Sequence, residues 1–389
     1  MQTRHWEKTQ VLLACLVLSS ASLCGYSWQD PCLVLGVLAW NTNQVLLTFT
    51  GESGVAYVIE SSPDLQSWVP VATNRDAAIT RTVLFSAPAD ASFYRVARGP
   101  LPLFEGAVVA RTNIDVSGNN FTTDSYDSAD PNHSIYGLYD PATRMANGDI
   151  ASLYGIINVG NGHIYGHLHT GPNGSDQIGP NGTVGDLNWP GPGVEPGYYY
   201  NDFNSCLPDV QPPYSNGLAP PAGTTNTYTL GNPALPGSSY SYYWNASLSL
   251  GSGETLYVPT SNNVTLYLTG SFTMQSQISS YLNLGAGASL KLYVGTTSGS
   301  ATTITLTQVN NTGDDSKLQI FGLPSTKSIS WNGIASFSGV VYAPEAAVSM
   351  GGGGSSTFNF QGACTVGSMK LNGAFNIHYD QNLQRGPMR

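Results

Sequence analysis

The chain has 389 residues, of which only 10% are charged, against about 25% in an ordinary soluble domain. Hydrophobic residues make up 41%, and Gly (44) and Pro (24) are abundant, so the composition excludes both a charged disordered chain and a helical bundle or coiled coil. The net charge of −10 is lopsided: Thr112 to Leu290 holds twelve Asp or Glu and one base, Arg144, so that stretch carries −11 and the rest +1, which argues against nucleic acid or an acidic polysaccharide as a partner.

At the N-terminus Arg4 and Lys8 precede the apolar run Val11 to Leu18 and the small residues Ser19 to Ser22. Residues 1–25 therefore read as a secretory signal peptide, and the chain is expected to be secreted or held at the cell surface. The run is too short to span a membrane, which takes about 20 apolar residues. Cleavage is expected near Cys24 or Gly25; Leu23 stands where a lipoprotein signal wants a small residue. Cys32, Cys206 and Cys364 then remain, and their spacing leaves open which two would pair, if any. No close Cys/His grouping marks a zinc site, and the sequence implies no cofactor.

Residues 33–98 carry about six short strand-like runs separated by polar turns, the spacing of a small β-sandwich. In Tyr57-Val-Ile-Glu-Ser61 the alternation turns Tyr57 and Ile59 inward. Tyr57 to Trp68 and Phe93-Tyr-Arg-Val96 resemble small fibronectin-III-like accessory modules of secreted Verrucomicrobia and Planctomycetes proteins. A linker is expected at 99–104.

From 105 to 385 the apolar spacing is two and not 3.6, in short bursts among Asn, Gly, Ser and Thr. Ile164-Tyr-Gly-His-Leu168 is echoed by Phe337-Ser-Gly-Val-Val341. Trp331-Asn-Gly333 is echoed by Leu371-Asn-Gly373, 40 residues on, the length of two coils of about 20. Such rungs suit a parallel, right-handed β-helix-like body, each coil burying its stripe on its neighbours; a sandwich or jelly roll is the alternative. The prolines between about 190 and 240 would break a strand ladder, so that segment is read as an extended excursion across the body.

Phe321-Gly-Leu-Pro324, Phe337 to Ala346, Gly351 to Gly354, Phe360-Gln-Gly-Ala363, Asn372-Gly373 and His378-Tyr-Asp380, with Asp115 to Pro131 upstream, resemble a bacterial domain of unknown function, DUF7305. Members occur in extracellular proteins, some of the pilus-assembly-like PilX type. The resemblance implies a β-helix-like body over about 280 residues and no established activity. No prepilin-type segment lies near Met1.

Three groups of residues invite chemistry. His163, His167 and His169 alternate and, on a single strand, would share a face; His163 and His167, about 13 Å apart, cannot hold one ion, whereas His167 and His169, about 7 Å apart, can with help. Asp124, Asp127 and Asp130 are weak calcium candidates, because such Asp residues more often cap turns. Tyr240, Tyr242 and Trp244, with Tyr198 to Tyr200 near in sequence, are the candidate carbohydrate-binding platform. Asp186, Asp202 and Asp209 are the carboxylates a glycosidase reading would use. Taken together, the expectation is an all-β, non-enzymatic structural or adhesive protein with glycans or cell-envelope components as partners and no integral membrane span. The alternative is a carbohydrate-binding or carbohydrate-active β-helix protein, a glycosidase or lyase.

Overall fold

The computed structural model describes residues 35–384 except 42–43, 51–56, 64–68, 75–79, 87–92, 99–102, 118–119, 204, 206, 222–225, 276–279, 332–335 and 352–356. The signal-peptide region, the linker, Cys32, Cys206, Trp68 and most of the Gly351–Gly354 run lie outside these residues. The chain divides into two compact units at Leu101/Pro102. Among the described residues there are strands and two short 3-10 turns, and no helix long and apolar enough to cross a membrane.

The first unit is two antiparallel sheets of three strands. Gln44–Thr50 lies between Leu35–Asn41 and Thr80–Ser86 in one, and Tyr57–Ser62 between Val69–Asn74 and Phe93–Arg98 in the other. Leu47 and Phe49 from the first sheet pack on Tyr57, Ile59 and Tyr94 from the second, with the Phe49 and Tyr57 rings edge to face at 5.3 Å. Alternation in the sequence is what sends Tyr57 and Ile59 to this core.

The second unit is a stack of coils, and 22 of its strands join one sheet. Every pairing in the stack between named strands is parallel. The ladder along one side begins with Ser239–Trp244, Asn263–Leu268, Ser289–Val294 and Leu318–Gly322, and continues through Phe337–Gly351 and Phe358–Asn372. It does not stop at the C-terminal coil. Cys364 pairs with Val108, and the ladder runs on through Val108–Ala110, Ile150–Ser152, Leu168–Thr170 and Tyr199–Tyr200. The same seam closes on the other sides, where Met369 pairs with Ile114 and Phe375–Asp380 pairs with Thr122–Tyr126. The chain thus enters the stack in its middle, winds to one end, returns outside to the other end, and winds back until its last coil meets its first.

Periodicity two accounts for the rungs. Ser289–Val294 alternates half-buried and buried residues, with Leu290, Leu292 and Val294 fully inside and paired in register with Leu318, Ile320 and Gly322 on the next rung. Rings stack along the axis inside: Phe337 lies on Phe360 at 4.8 Å, and Trp331 touches Phe337, Phe358 and Phe375. Cys364 is a free, fully buried thiol in this core, and burial pushes its pKa up.

Both sequence echoes mark equivalent places on separate coils of the stack. Trp331 pairs with Met350 and Met350 with Leu371, so Trp331 and Leu371 are two coils apart on one ladder. Ile164 and Phe337 share a ladder through Thr123, Ile377 and Phe360, and Leu168 and Val341 share the next one. Between them the chain turns a corner at Gly166 and at Gly339. At the related corner Gly362, φ is +122° and a Cβ would lie 2.0 Å from the Gly339 carbonyl oxygen, so only glycine lets the coils stack that closely.

The return segment runs down the outside. Phe203 N–H donates to the Thr170 carbonyl (3.0 Å), Leu207 packs on Val109, Ala151 and Leu153, and the Tyr342 hydroxyl donates to the Pro208 carbonyl (2.8 Å). Farther on, Tyr214 donates to the carbonyls of Tyr242 and Thr265, and Leu218 bridges to Tyr242. Eight rung spacings of about 4.8 Å separate the Leu168 and Tyr242 rungs, ~38 Å. The 15 steps from Phe203 to Leu218 reach ~45 Å at the 3.1 Å per residue of polyproline II. Only a nearly extended chain covers that span, which is what Pro208, Pro212 and Pro213 favour.

Candidate functional site

His163 to His169 is not one strand. Gly166 breaks it into His163–Tyr165 and Leu168–Thr170 on different sides of the coil. A Cβ at Gly166 would lie 2.6 Å from Asp149 Oδ1, so the corner leaves no room for a side chain. His163 stays by itself, with its Nδ1 2.8 Å from Thr183 Oγ1. His167 and His169 follow the corner and, with Leu168 turned into the core, both face outward.

The neighbouring rungs complete this face. Ile150 pairs with Leu168, and Leu168 with Tyr199, so Asp149, His167 and Tyr198 form one row across three rungs while Ala151, His169 and Tyr200 form the next. The His167 ring lies flat on Tyr198 (4.6 Å, 9°) and the His169 ring on Tyr200 (5.2 Å, 13°). Asp149 Oδ1 accepts from the His167 backbone N–H (2.7 Å) and lies 3.2 Å from His167 Nδ1; Oδ2 lies 3.6 Å from His169 Nε2. One ligand atom from each of Asp149, His167 and His169 falls within 4.8 Å of the other two. Burial favours the protonated Asp149 carboxyl, but the hydrogen bonds from His167 and His169 outweigh it and hold the pKa at about 2. The same contact raises the His167 pKa against the opposing effect of desolvation.

Sequence reading found the two histidines and missed Asp149. The signal was there as a coil length: Asp149-Ile-Ala151 and His167-Leu-His169 stand 18 residues apart in the same register.

The other site residues have partners of their own. Asp124, 2% exposed, receives the Tyr139 hydroxyl (2.8 Å), lies 2.6 Å from His378 Nδ1, and pairs with Arg144 at 3.6 Å. Asp127 Oδ1 accepts from Ala129 N–H, and Asp130 Oδ1 accepts from the backbone and side chain of Asn132. Each of the three serves its own turn or seam. Tyr240, Tyr242 and Trp244 pair with Val264, Leu266 and Leu268, whose side chains are core. Tyr242 is 8% exposed and its hydroxyl accepts from Gly231 N–H; Tyr240 and Trp244 are half-buried against the same core. Asp209 pairs with Arg111 at 3.7 Å, and Asp186 Oδ1 accepts from Leu187 N–H.

A second polar group lies at the seam between first and last coils. His378 stacks on Tyr139 at 3.7 Å and turns Nε2 to Asn359 Oδ1 (3.0 Å). Asp380 accepts from the backbone N–H groups of Ser128 and Asn382. Arg111 on the first coil ion-pairs with Glu345 on a late coil and donates to the Leu207 carbonyl of the return segment.

An all-β protein with a parallel, β-helix-like stack is the class this fold defines. Within it, residues 237–386 match the family model described as Domain of unknown function (DUF7305). No curated protein and no solved structure matches the chain. The matched residues hold the C-terminal run of coils, and the His378-Tyr-Asp380 phrase near their end is the edge on which residues 108–126 stack.

Proposed function

We propose that this chain is an exported, non-catalytic structural or adhesive protein of a bacterial cell surface or extracellular matrix, of the Verrucomicrobia type. In this reading the first unit is a fibronectin-III-like accessory module, and the stack is an acidic, Ser/Thr/Asn-clad body that presents its outer faces to cell-envelope components. One observation carries it: a continuous parallel ladder in which two buried acids join separate rungs. Asp124 ties to His378 across the seam, and Asp315 ties to Tyr126 and Ser338. Export is supported by the Arg4/Lys8 and Val11–Leu18 pattern.

The experiment is fractionation of the native organism with antibody against the chain, joined to a pull-down of the purified mature chain on its own cell envelopes and on a glycan array. The expected result is label at the surface or in the matrix, retention on envelopes and no glycan cleavage. Cytoplasmic label would end the reading. Glycan turnover would move the protein to the carbohydrate-active alternative, and glycan binding lost in Trp244→Ala would move it to the sugar-binding one.

A further inference from the structure

We propose that Asp149, His167 and His169 form a binding site for a borderline divalent transition metal, for which Zn2+ is the probe. Two imidazoles and one carboxylate are the donor set such ions take, and a poor set for calcium or magnesium, which want oxygen. At about 2.0–2.1 Å per bond, the ligand atoms of a tetrahedral zinc lie ~3.4 Å apart. His167 Nδ1 lies 3.2 Å from Asp149 Oδ1 and His169 Nε2 lies 3.6 Å from Asp149 Oδ2, so one carboxylate already reaches both imidazoles. All three atoms fall within 4.8 Å of one another, so closing the set takes a shift of about 1–2 Å at the imidazoles.

The scaffold prepares the site. His169 lies on Leu168–Thr170 and His167 just before it, Asp149 stands just before Ile150–Ser152 on the next rung, and Ile150 N–H donates to the His167 carbonyl (3.0 Å), so the ladder fixes the spacing of all three. Tyr198 and Tyr200 lie nearly flat against the two imidazoles and hold their planes. All three residues are partly exposed, which gives an ion a path in and leaves a fourth position for water or for a donor from another molecule. This inference does not depend on the surface role proposed above.

The test titrates ZnCl2 into the chelator-stripped, full mature chain by calorimetry. The expected result is one saturable site per chain, weakened about tenfold or more in His169→Gln and in His167→Gln, and unchanged in His163→Gln on the adjoining strand. Absence of saturable binding, or binding that survives in the double variant, would overturn the proposal. Should a variant fail to fold, Co2+ on the wild-type chain decides: tetrahedral visible bands that Zn2+ abolishes support the site, and a spectrum no different from aqueous Co2+ refutes it.

Discussion

Asp315 is wholly buried where the Tyr126 hydroxyl (2.6 Å) and the Ser338 hydroxyl (2.8 Å) donate to its two oxygens. Burial, helped by the charges of Asp380 and Asp314 and opposed by those hydrogen bonds, pushes its pKa up to about 8 from 3.8. The folded chain therefore holds this proton more tightly than the unfolded one. Its stabilising contribution is complete below pH 3.8 and is lost as pH rises through about 8, at up to ~1.4 kcal/mol per pH unit. In urea titrations at about pH 5 and pH 8, the wild type should lose clearly more stability than Asp315→Asn; equal losses would contradict the assignment. His167, also raised, adds a slope of the same sign that cancels in this comparison. Gly362→Ala should cost about 3 kcal/mol or more, because a Cβ meets the Gly339 carbonyl in a left-handed backbone. A Tm within a few degrees of wild type would show that the corner relaxes freely.

Among the elements, rungs were legible, but the proline-rich stretch expected at about 190–240 was not uniform: Gly193–Val194, Tyr199–Tyr200 and Thr227–Thr229 within it pair as parallel rungs. Alternation in Ser289 to Val294 needs no partner to be read, since inside and outside are set residue by residue. Prolines mark where a ladder is interrupted, not how long the interruption lasts. The three-histidine phrase misled because Gly166, a corner residue, looks like any strand glycine until the coil length is known. Arg111 shows what stayed hidden: it ties Glu345, Asp209 and Leu207 together, which are 234, 98 and 96 residues away in the chain. Its side chain and those carboxylates are partly exposed, so Arg111→Ala should cost only about 1 kcal/mol globally. The local effect should be larger, with protease cleavage between Asp202 and Ala219 several-fold faster than in wild type. Unchanged cleavage would mean that the clasp does not hold the segment.

For the stacked unit as a whole, the surprise is the order of the coils. Any rung with an inward stripe can stack on any other, so nothing local announces that Cys364 neighbours Val108 and not a later rung. The aromatic row Tyr240, Tyr242 and Trp244 lies on Ser239–Trp244, which ends its ladder and packs these rings on the core. The DUF7305 stretch therefore ends on an edge that residues 108–126 cover. A chain cut to residues 237–386 should expose that edge and self-associate in size-exclusion chromatography, as unprotected strand edges do. A stable monomer would contradict this. The out-of-order seam itself has a direct test that needs no mutation. Lys370 Nζ lies 4.0 Å from Asp115 Oδ2 across it, both partly exposed, and Lys327 Nζ lies 3.5 Å from Glu345 Oε2 within the late coils. Zero-length carbodiimide cross-linking of the monomer, read by mass spectrometry, should join the Lys370 and Asp115 peptides as readily as those of Lys327 and Glu345. The second link without the first would contradict the seam.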